Sequence, residues 1–239
     1  MRMGKSRAQI AQNKAKVRAL LTEDPLKWSR ECVLPYPSKF ERSIDLLHAA
    51  ASAVAIGEEG KSEAQSLIGQ MDDFEMRTWF DDLAQNAGKV RLEILGQKPN
   101  PQMGKSSIRR PSKKLELSIN ARDGFHCRYC GIRIVPNDQL KNLQSLVGYM
   151  TLPNRSRAYG RTKNSDIHGI WLMTRATVDH VEPVASGAVD VNREDNLVAS
   201  CWSCNYAKWR YTIGDLRLDH PKCRPVKLTH WRGLTDFAF

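Results

Sequence analysis

The chain has 239 residues, 41% of them hydrophobic and 26% charged, which is enough for a sizeable core of ordinary composition. The sequence predicts neither a membrane span nor a secretory signal, because it has no apolar run of about 18 residues and no apolar stretch behind its basic N-terminus. The net charge of +11 favours a polyanionic partner, most simply nucleic acid, although a basic protein kept soluble by its charge would fit as well.

The charges are distributed unevenly and indicate domain boundaries. Residues 1–22 and 97–115 each hold six Lys or Arg and no acid, whereas residues 23–96 hold eight basic and fourteen acidic residues. We therefore expect a helical N-terminal region over 1–96, a basic linker over 97–115 and a second domain over 116–239. Residues 96–114 also combine Gly, Pro and Ser with positive charge, which suits a linker that can lie along phosphates.

Helical signals open the chain. Residues 5–21 have helical composition with a weak apolar stripe. Ser38 and Glu41 then have the spacing of a capping box, apolar residues recur at helical spacing over 40–54, and Gly57 supplies a stop.

A further apolar stripe at helical spacing runs from Met76 to Ile94, with Asp72 as its N-cap and Gly88 as a weak point inside it. The aromatic and Met side chains of such stripes pack a core far more often than they line a ligand site. We therefore expect two or three packed helices in this region.

Two C-x-x-C pairs lie in the second half of the chain, in "HCRYCG" at 126–131 and "SCWSCN" at 200–205. Two such pairs complete a tetrahedral thiolate site for Zn²⁺, with the ligands Cys127, Cys130, Cys201 and Cys204. All four positions are then filled by protein, so this zinc would be structural. Redox-active dithiols are the alternative, but they need a βαβ pattern that the sequence lacks.

Between the two pairs, "VDHVEP" at 178–183 sets Asp179 and His180 side by side. A neutral imidazole can take a proton from water near neutral pH, and a carboxylate oxygen suits a hard divalent cation. Neighbouring residues on a strand point to opposite faces, so the two side chains share a target only if the backbone bends there.

The order C-x-x-C, D-H-x-x-P, N-L and C-x-x-C-N-x-x-K resembles the HNH nuclease family over roughly residues 117–210. The resemblance implies an α+β protein, in which the helical N-terminal region is followed by a ββα-metal domain with a structural four-cysteine zinc site. It also implies the backbone bend at Asp179 and His180. The implied site has His180 as general base, Asp179 and Asn205 as ligands of Mg²⁺ or Mn²⁺, Asn196 as a loop brace, and Lys208 as a residue able to approach phosphate.

The chain departs from the compact family form by an insertion over about 131–175. Residues 131–148 look like a strand followed by a helix, and a basic, aromatic segment follows. We expect Arg155, Arg157, Arg161 and Lys163 to line a DNA groove, with Lys208 and Arg210 as further contacts. His168 in this segment packs against Trp171 in the favoured interpretation, and touches substrate in the other.

These features predict a cytoplasmic, magnesium-dependent endonuclease that nicks double-stranded DNA. The long insertion resembles that of standalone bacterial HNH proteins in anti-phage defence systems, which would bring partner proteins of such a system. Three alternatives stay open: a non-catalytic, zinc-stapled DNA-binding subunit of a larger complex, an RNase using the same site, and an HNH nuclease of a phage or mobile element.

Overall fold

The structure is a computed structural model. It describes residues 7–22, 30, 32, 34, 39–71, 73–84, 86–98, 110–148, 167–184 and 190–239. The regular elements of these ranges are α1 (Arg7–Thr22), α2 (Phe40–Ile56), α3 (Lys61–Gly69), α4 (Asp73–Thr78), a π-helical segment (Trp79–Ala84), α5 (Ala87–Ile94), α6 (Lys113–Arg122), α7 (Asn137–Val147), α8 (Gly169–Thr174), β1 (Ala176–His180), β2 (Leu197–Cys201) and α9 (Trp202–Lys208).

The N-terminal region is helical, as the charge and periodicity indicate. Helix α2 ends where Gly57 takes φ 135°, a conformation that favours glycine, so the predicted stop is confirmed. The capping residues Ser38 and Asp72 lie outside the described residues. Helix α3 has no counterpart among the predicted elements.

The helix predicted behind Asp72 is divided. Helices α4 and α5 flank the π-helical segment, whose Phe80 packs on Trp202 of α9 with ring centroids 5.0 Å apart. An ideal Cβ on Gly88 would lie 2.2 Å from the carbonyl oxygen of Ala207, so only glycine permits this approach of α5 to α9. The contact with α9, which is remote in sequence, accounts for the glycine inside the stripe.

The C-terminal part is built on an antiparallel pair of strands. The register of β1 and β2 runs from Ala176 opposite Cys201 to His180 opposite Leu197. Helix α9 follows β2 directly and packs against both strands. On the other side of β2, the Ala199 N–H donates to Oδ2 of Asp123 at 2.8 Å. Helices together with this small sheet confirm the predicted α+β class.

The predicted linker and insertion are described only in part. Helix α6 begins at Lys113, inside the predicted linker, because the Ser112 hydroxyl accepts a hydrogen bond from the Leu115 N–H and caps it. Helix α7 confirms the helix predicted in the insertion, but the preceding strand is reduced to isolated bridges, among them Val135 with Arg175. Residues 149–166 lie outside the described ranges, and with them Arg155, Arg157, Arg161 and Lys163.

The helical region and the strand pair share one continuous apolar core. It runs from side chains of α2, such as Phe40 and Ile44, to Val198 of β2. Arg91 of α5 is buried within it and donates to the carbonyl oxygens of Leu216 at 2.7 Å and Cys32 at 2.9 Å. Burial lowers the pKa of Arg91 to about 10, so the guanidinium stays charged at neutral pH. Within the described ranges, no helix combines the length and the apolar character needed to cross a membrane.

Candidate functional site

The four cysteines of the two C-x-x-C pairs converge. Their sulfur atoms all lie within 4.8 Å of one another, and Sγ of Cys130 is 3.8 Å from Sγ of Cys201. The second pair sits at the start of α9, where the Cys204 N–H donates to Sγ of Cys201 at 3.3 Å. The first pair sits on a turn that Gly131 closes with φ 77°. The four-cysteine cluster predicted from spacing is therefore present.

The donor set of this cluster fits Zn²⁺. Two sulfurs on a tetrahedral zinc with bonds of roughly 2.3 Å are about 3.8 Å apart, which is the separation of Cys130 and Cys201. Burial raises the pKa of Cys201 and Cys204, because a thiolate loses hydration there. A doubly charged cation offsets that loss and would hold the thiolates ionised. With four protein ligands and no open position, such a zinc would be structural.

A fifth cysteine lies against the cluster. Sγ of Cys32 is 3.5 Å from Sγ of Cys204, it accepts a hydrogen bond from the Leu34 N–H, and the residue is 7% exposed. Cys32 lies outside both C-x-x-C pairs and was not among the predicted ligands. The sequence held no signal for this contact, since Cys32 lies far upstream and outside any C-x-x-C spacing.

Asp179 belongs to a buried polar triad. Its Oδ2 accepts from the Tyr129 hydroxyl at 2.6 Å and lies 3.1 Å from Nζ of Lys208. Burial first, and then the charge of Asp179 and its hydrogen bond, raise the pKa of Tyr129 well above its ordinary value, so the phenol stays protonated and donates. Tyr129 stands between Cys127 and Cys130. The triad therefore joins the cysteine cluster directly to strand β1.

His180 at the end of β1 reaches into the following loop. Its Nε2 is 2.9 Å from Oδ1 of Asn192. With the amide oxygen as acceptor, the proton of the neutral ring is on Nε2, and Nδ1 carries the free lone pair. Sequence reasoning missed Asn192, because one polar residue in a polar loop has no distinguishing pattern.

Asn196 closes the loop between the strands. Its side chain accepts from the Glu182 N–H at 2.7 Å and donates to the carbonyl oxygens of Glu182 at 3.1 Å and Val191 at 3.0 Å. The Val181 N–H also donates to the Asn196 carbonyl oxygen at 2.9 Å. These bonds fix both ends of the loop that carries the Asn192 contact to His180.

Asn205 of α9 faces β1. Its Nδ2 donates to Oγ1 of Thr177 at 3.2 Å and to the Val178 carbonyl oxygen at 3.3 Å. The amide nitrogen is thereby committed, and its oxygen Oδ1 has no hydrogen-bond partner among the described residues. The same is true of Oδ1 of Asp179. Carboxylate and amide oxygens of this kind are ligands that a hard cation accepts.

Among the described residues, no polar side-chain contact joins the ring of His180 to the predicted metal ligands Asp179 and Asn205. The ladder is regular through Asp179 opposite Val198 and His180 opposite Leu197, so β1 shows no bend at these residues. Across the described ranges, no hydrogen bond or ion pair connects the ring of His180 with Asp179 or Asn205. Lys208 connects Asp179 with the backbone of His180, because its Nζ lies beside Oδ2 of Asp179 and donates to the His180 carbonyl oxygen at 2.9 Å.

Residues 164–211 match a family model described as HNH endonuclease. The chain carries an HNH domain. The matched segment contains β1, β2 and α9, and with them the candidate residues His180, Asn196 and Asn205. No curated protein and no solved structure matches the chain.

The residues predicted to contact nucleic acid lie in different settings in this HNH domain. Lys208 is 1% exposed and bound to Asp179, so its ammonium does not reach the surface and the expected phosphate contact is not seen. Lys208 lies three residues after Asn205 on α9, so both side chains are on the helix face that packs against β1. Arg210 stacks its guanidinium 4.3 Å from the ring centroid of Trp209. His168 caps α8 by accepting from the Ile170 N–H at 3.2 Å.

Proposed function

We propose that this protein is a divalent-metal-dependent HNH endonuclease that hydrolyses phosphodiester bonds of double-stranded DNA in the cytoplasm. The observation that carries the proposal is His180 in the matched HNH segment, with Nε2 bound to Asn192 and no hydrogen bond to Nδ1 from the described residues. The net charge of +11 suits a nucleic-acid substrate.

In the proposed reaction, Nδ1 of His180 takes a proton from water, and the water oxygen attacks the phosphorus. The bond from phosphorus to the 3′ oxygen breaks, and that oxygen takes up a proton from solvent. The products then carry a 5′-phosphate and a 3′-hydroxyl end. Asn192 holds the imidazole in the tautomer that this step requires.

Asp179 and Asn205 would hold the divalent cation, Mg²⁺ or Mn²⁺, through their Oδ1 atoms. When bound, the cation supplies positive charge for the phosphorane-like transition state and the departing oxygen. Lys208 and Tyr129 hold the other oxygen of Asp179 and so fix the orientation of its carboxylate. Zn²⁺ on the four cysteines would fix the start of α9, and thereby Asn205.

The test is cleavage of supercoiled plasmid with added Mg²⁺ by the wild type and by His180→Ala. We expect relaxed circles from the wild type, because one HNH site makes one cut per encounter, and no product from the variant. Linear product formed at the first cleavage would instead show paired cuts. Equal activity of the two proteins, after contaminating nucleases have been removed, would refute the proposal. Binding without cleavage by both would favour a DNA-binding subunit.

Anti-phage defence is the biological setting that we propose for this activity. It is supported by the resemblance of the long insertion to those of standalone HNH proteins in defence systems, and it brings partner proteins encoded beside this chain. Cells that express the wild type with those neighbours should plate phage less efficiently than cells that express His180→Ala. Equal plating would remove the defence role and leave the nuclease activity untouched.

A further inference from the structure

An aromatic and basic surface lies beside the HNH domain, where α5 meets the end of α9. Tyr206 and Trp209 are each 52% exposed, although large aromatic rings are usually buried. With Tyr211, Gly88, Lys89 and Ala207 they line a cavity of about 170 Å³. We call this surface the aromatic platform. The helical region contributes one wall and the HNH domain the other.

Trp209 has a strained backbone conformation that its neighbours hold in place. The residue has φ 51° and ψ −125°, a conformation that a side chain with a Cβ rarely adopts. Such strain costs about 1–3 kcal/mol and persists where the surrounding structure compensates for it. Here the Trp209 N–H bonds to the Asn205 carbonyl oxygen at 2.8 Å, and the ring packs edge-on to Tyr211 at 5.9 Å. The indole is therefore kept half exposed at a cost in stability.

Two cationic side chains lie close to the indole ring of Trp209. The Arg210 guanidinium lies 4.3 Å from the Trp209 ring centroid, and Nζ of Lys89 lies 5.8 Å from it. Within the described ranges neither cation pairs with a carboxylate, and Nε of Arg210 is buried without a hydrogen-bond partner. A cationic ligand is disfavoured beside two cations. A planar ring that is attached to a negatively charged group is favoured.

We infer that the aromatic platform binds an unpaired nucleotide of single-stranded DNA, with its base stacked on Trp209 and its phosphate between Lys89 and Arg210. Base stacking on an exposed indole, with cations tracking the backbone, is the usual physical basis of single-strand binding. The cavity holds one planar base. A nucleotide of an intact duplex keeps its base inside the helix and cannot fill it.

The Trp209 N–H donates to the carbonyl oxygen of Asn205, so the platform and the proposed metal ligand Asn205 are connected through the backbone at the end of α9. The role of the platform in cleavage rests on the proposed function. Lys208, which precedes Trp209, donates to the His180 carbonyl oxygen. A nucleotide stacked on Trp209 would therefore contact the residue that follows Lys208, the side chain bonded to the end of β1. The substrate preferred by the enzyme would be DNA with an unpaired stretch near the cut.

The test is binding of two labelled oligomers to the full chain carrying His180→Ala, measured by fluorescence anisotropy. One oligomer is oligothymidylate, and the other has the same length and phosphates but abasic sugars. We expect tighter binding of oligothymidylate, and a loss of at least about five-fold for it in Trp209→Ala, because a base stacked on an aromatic ring contributes at least that much. Binding of the abasic oligomer should not change.

The control variants separate stacking from folding and charge. Trp209→Phe should keep most of the preference for oligothymidylate, and Ile56→Ala, which removes a 70%-exposed side chain elsewhere, should keep all of it. Lys89→Gln should weaken both oligomers alike and flatten the salt dependence.

The inference is overturned if the chain with the intact platform binds both oligomers equally, or if Trp209→Ala keeps the preference. It is also overturned if a third oligomer of the same length, oligouridylate, binds more tightly than oligothymidylate. Because cleavage is disabled throughout, these results are independent of the proposed nuclease activity. A preference for the base-bearing oligomer, together with no plasmid cleavage by the protein that retains His180, would refute the proposed function alone.

Discussion

Lys208 is a buried ammonium, whereas most of the other lysines and arginines that the structure describes are at least partly exposed. It lies between Oδ2 of Asp179 and the His180 carbonyl oxygen, so its charge is compensated from both sides. Removing one member of a buried ion pair leaves the other charge without compensation, which costs far more than the pair contributes when intact. The residue therefore matters first for stability.

Lys208→Met should lower the free energy of unfolding by roughly 3–5 kcal/mol, because Asp179 is left buried without its cation. Urea denaturation followed by circular dichroism measures the change. The double variant with Asp179→Asn removes the uncompensated charge and should recover much of the loss. Lys113→Met is the matched control, since Lys113 pairs with Asp138 on the surface, and it should change stability by less than about 1 kcal/mol. An unaltered urea midpoint in Lys208→Met would contradict this assignment.

Asn192 is a positioning residue for His180. Asn192→Ala should lower the rate of plasmid cleavage by on the order of a hundred-fold, because the ring loses both its orientation and its fixed tautomer. Asn192→Asp should restore most of the rate, since a carboxylate also accepts from Nε2. Equal rates in the alanine and aspartate variants would show that the side chain acts only on the fold of the loop.

At the scale of single residues, the sequence predicted those site residues that belong to a motif with a fixed spacing. The four clustered cysteines follow from two C-x-x-C pairs. Tyr129, Asn192 and Cys32 were missed, because their partners are fixed by tertiary contacts that no short motif encodes. The burial of Lys208 was also missed, because it depends on how closely α9 packs against β1.

At the scale of elements, the close approach of α5 to α9 decides how the helical region meets the HNH domain. Periodicity predicted most of the described N-terminal helices and the end of α2. It did not predict the π-helical segment, because packing of Phe80 on Trp202 comes from an element more than a hundred residues away. A glycine that looked like a weak point in a helix is a point of contact.

Gly88→Ala should destabilise the protein by about 1–3 kcal/mol, because the new Cβ meets the Ala207 carbonyl oxygen and forces α5 from α9. Gly69→Ala is the matched control, since a Cβ there meets nothing within 4 Å, and it should be neutral or stabilising. Thermal unfolding of both variants tests the pair. Equal shifts in the two would show that helix propensity, and not the contact, governs the result.

At the scale of the whole molecule, the apolar core and the buried Arg91 tie the helical region to the HNH domain. The charge pattern predicted two folding units separated by a linker, and that division stays a prediction. What composition could not predict is the sharing of one core, because charge segregation reports on surfaces and not on which apolar faces meet. Cys32 extends the same connection to the cysteine cluster.

Removal of zinc should destabilise the entire chain and not the C-terminal part alone. Cys127→Ser should abolish bound zinc and lower the unfolding midpoint for both near-ultraviolet and far-ultraviolet signals, since metal binding contributes directly to folding. Cys32→Ser should keep the wild-type zinc content, because four other sulfurs complete the site. Metal analysis by mass spectrometry measures both. Loss of zinc in Cys32→Ser would make Cys32 a ligand.

Tyr129 has a consequence for how such an enzyme would respond to its surroundings. The phenol that holds Asp179 is carried on the same short turn as Cys127 and Cys130. The proposed zinc site and the proposed site of the divalent cation would therefore depend on the same turn. A molecule without zinc would lose this support of the carboxylate together with the stability of the whole chain. Cleavage activity and folding should therefore fall together as zinc is withdrawn.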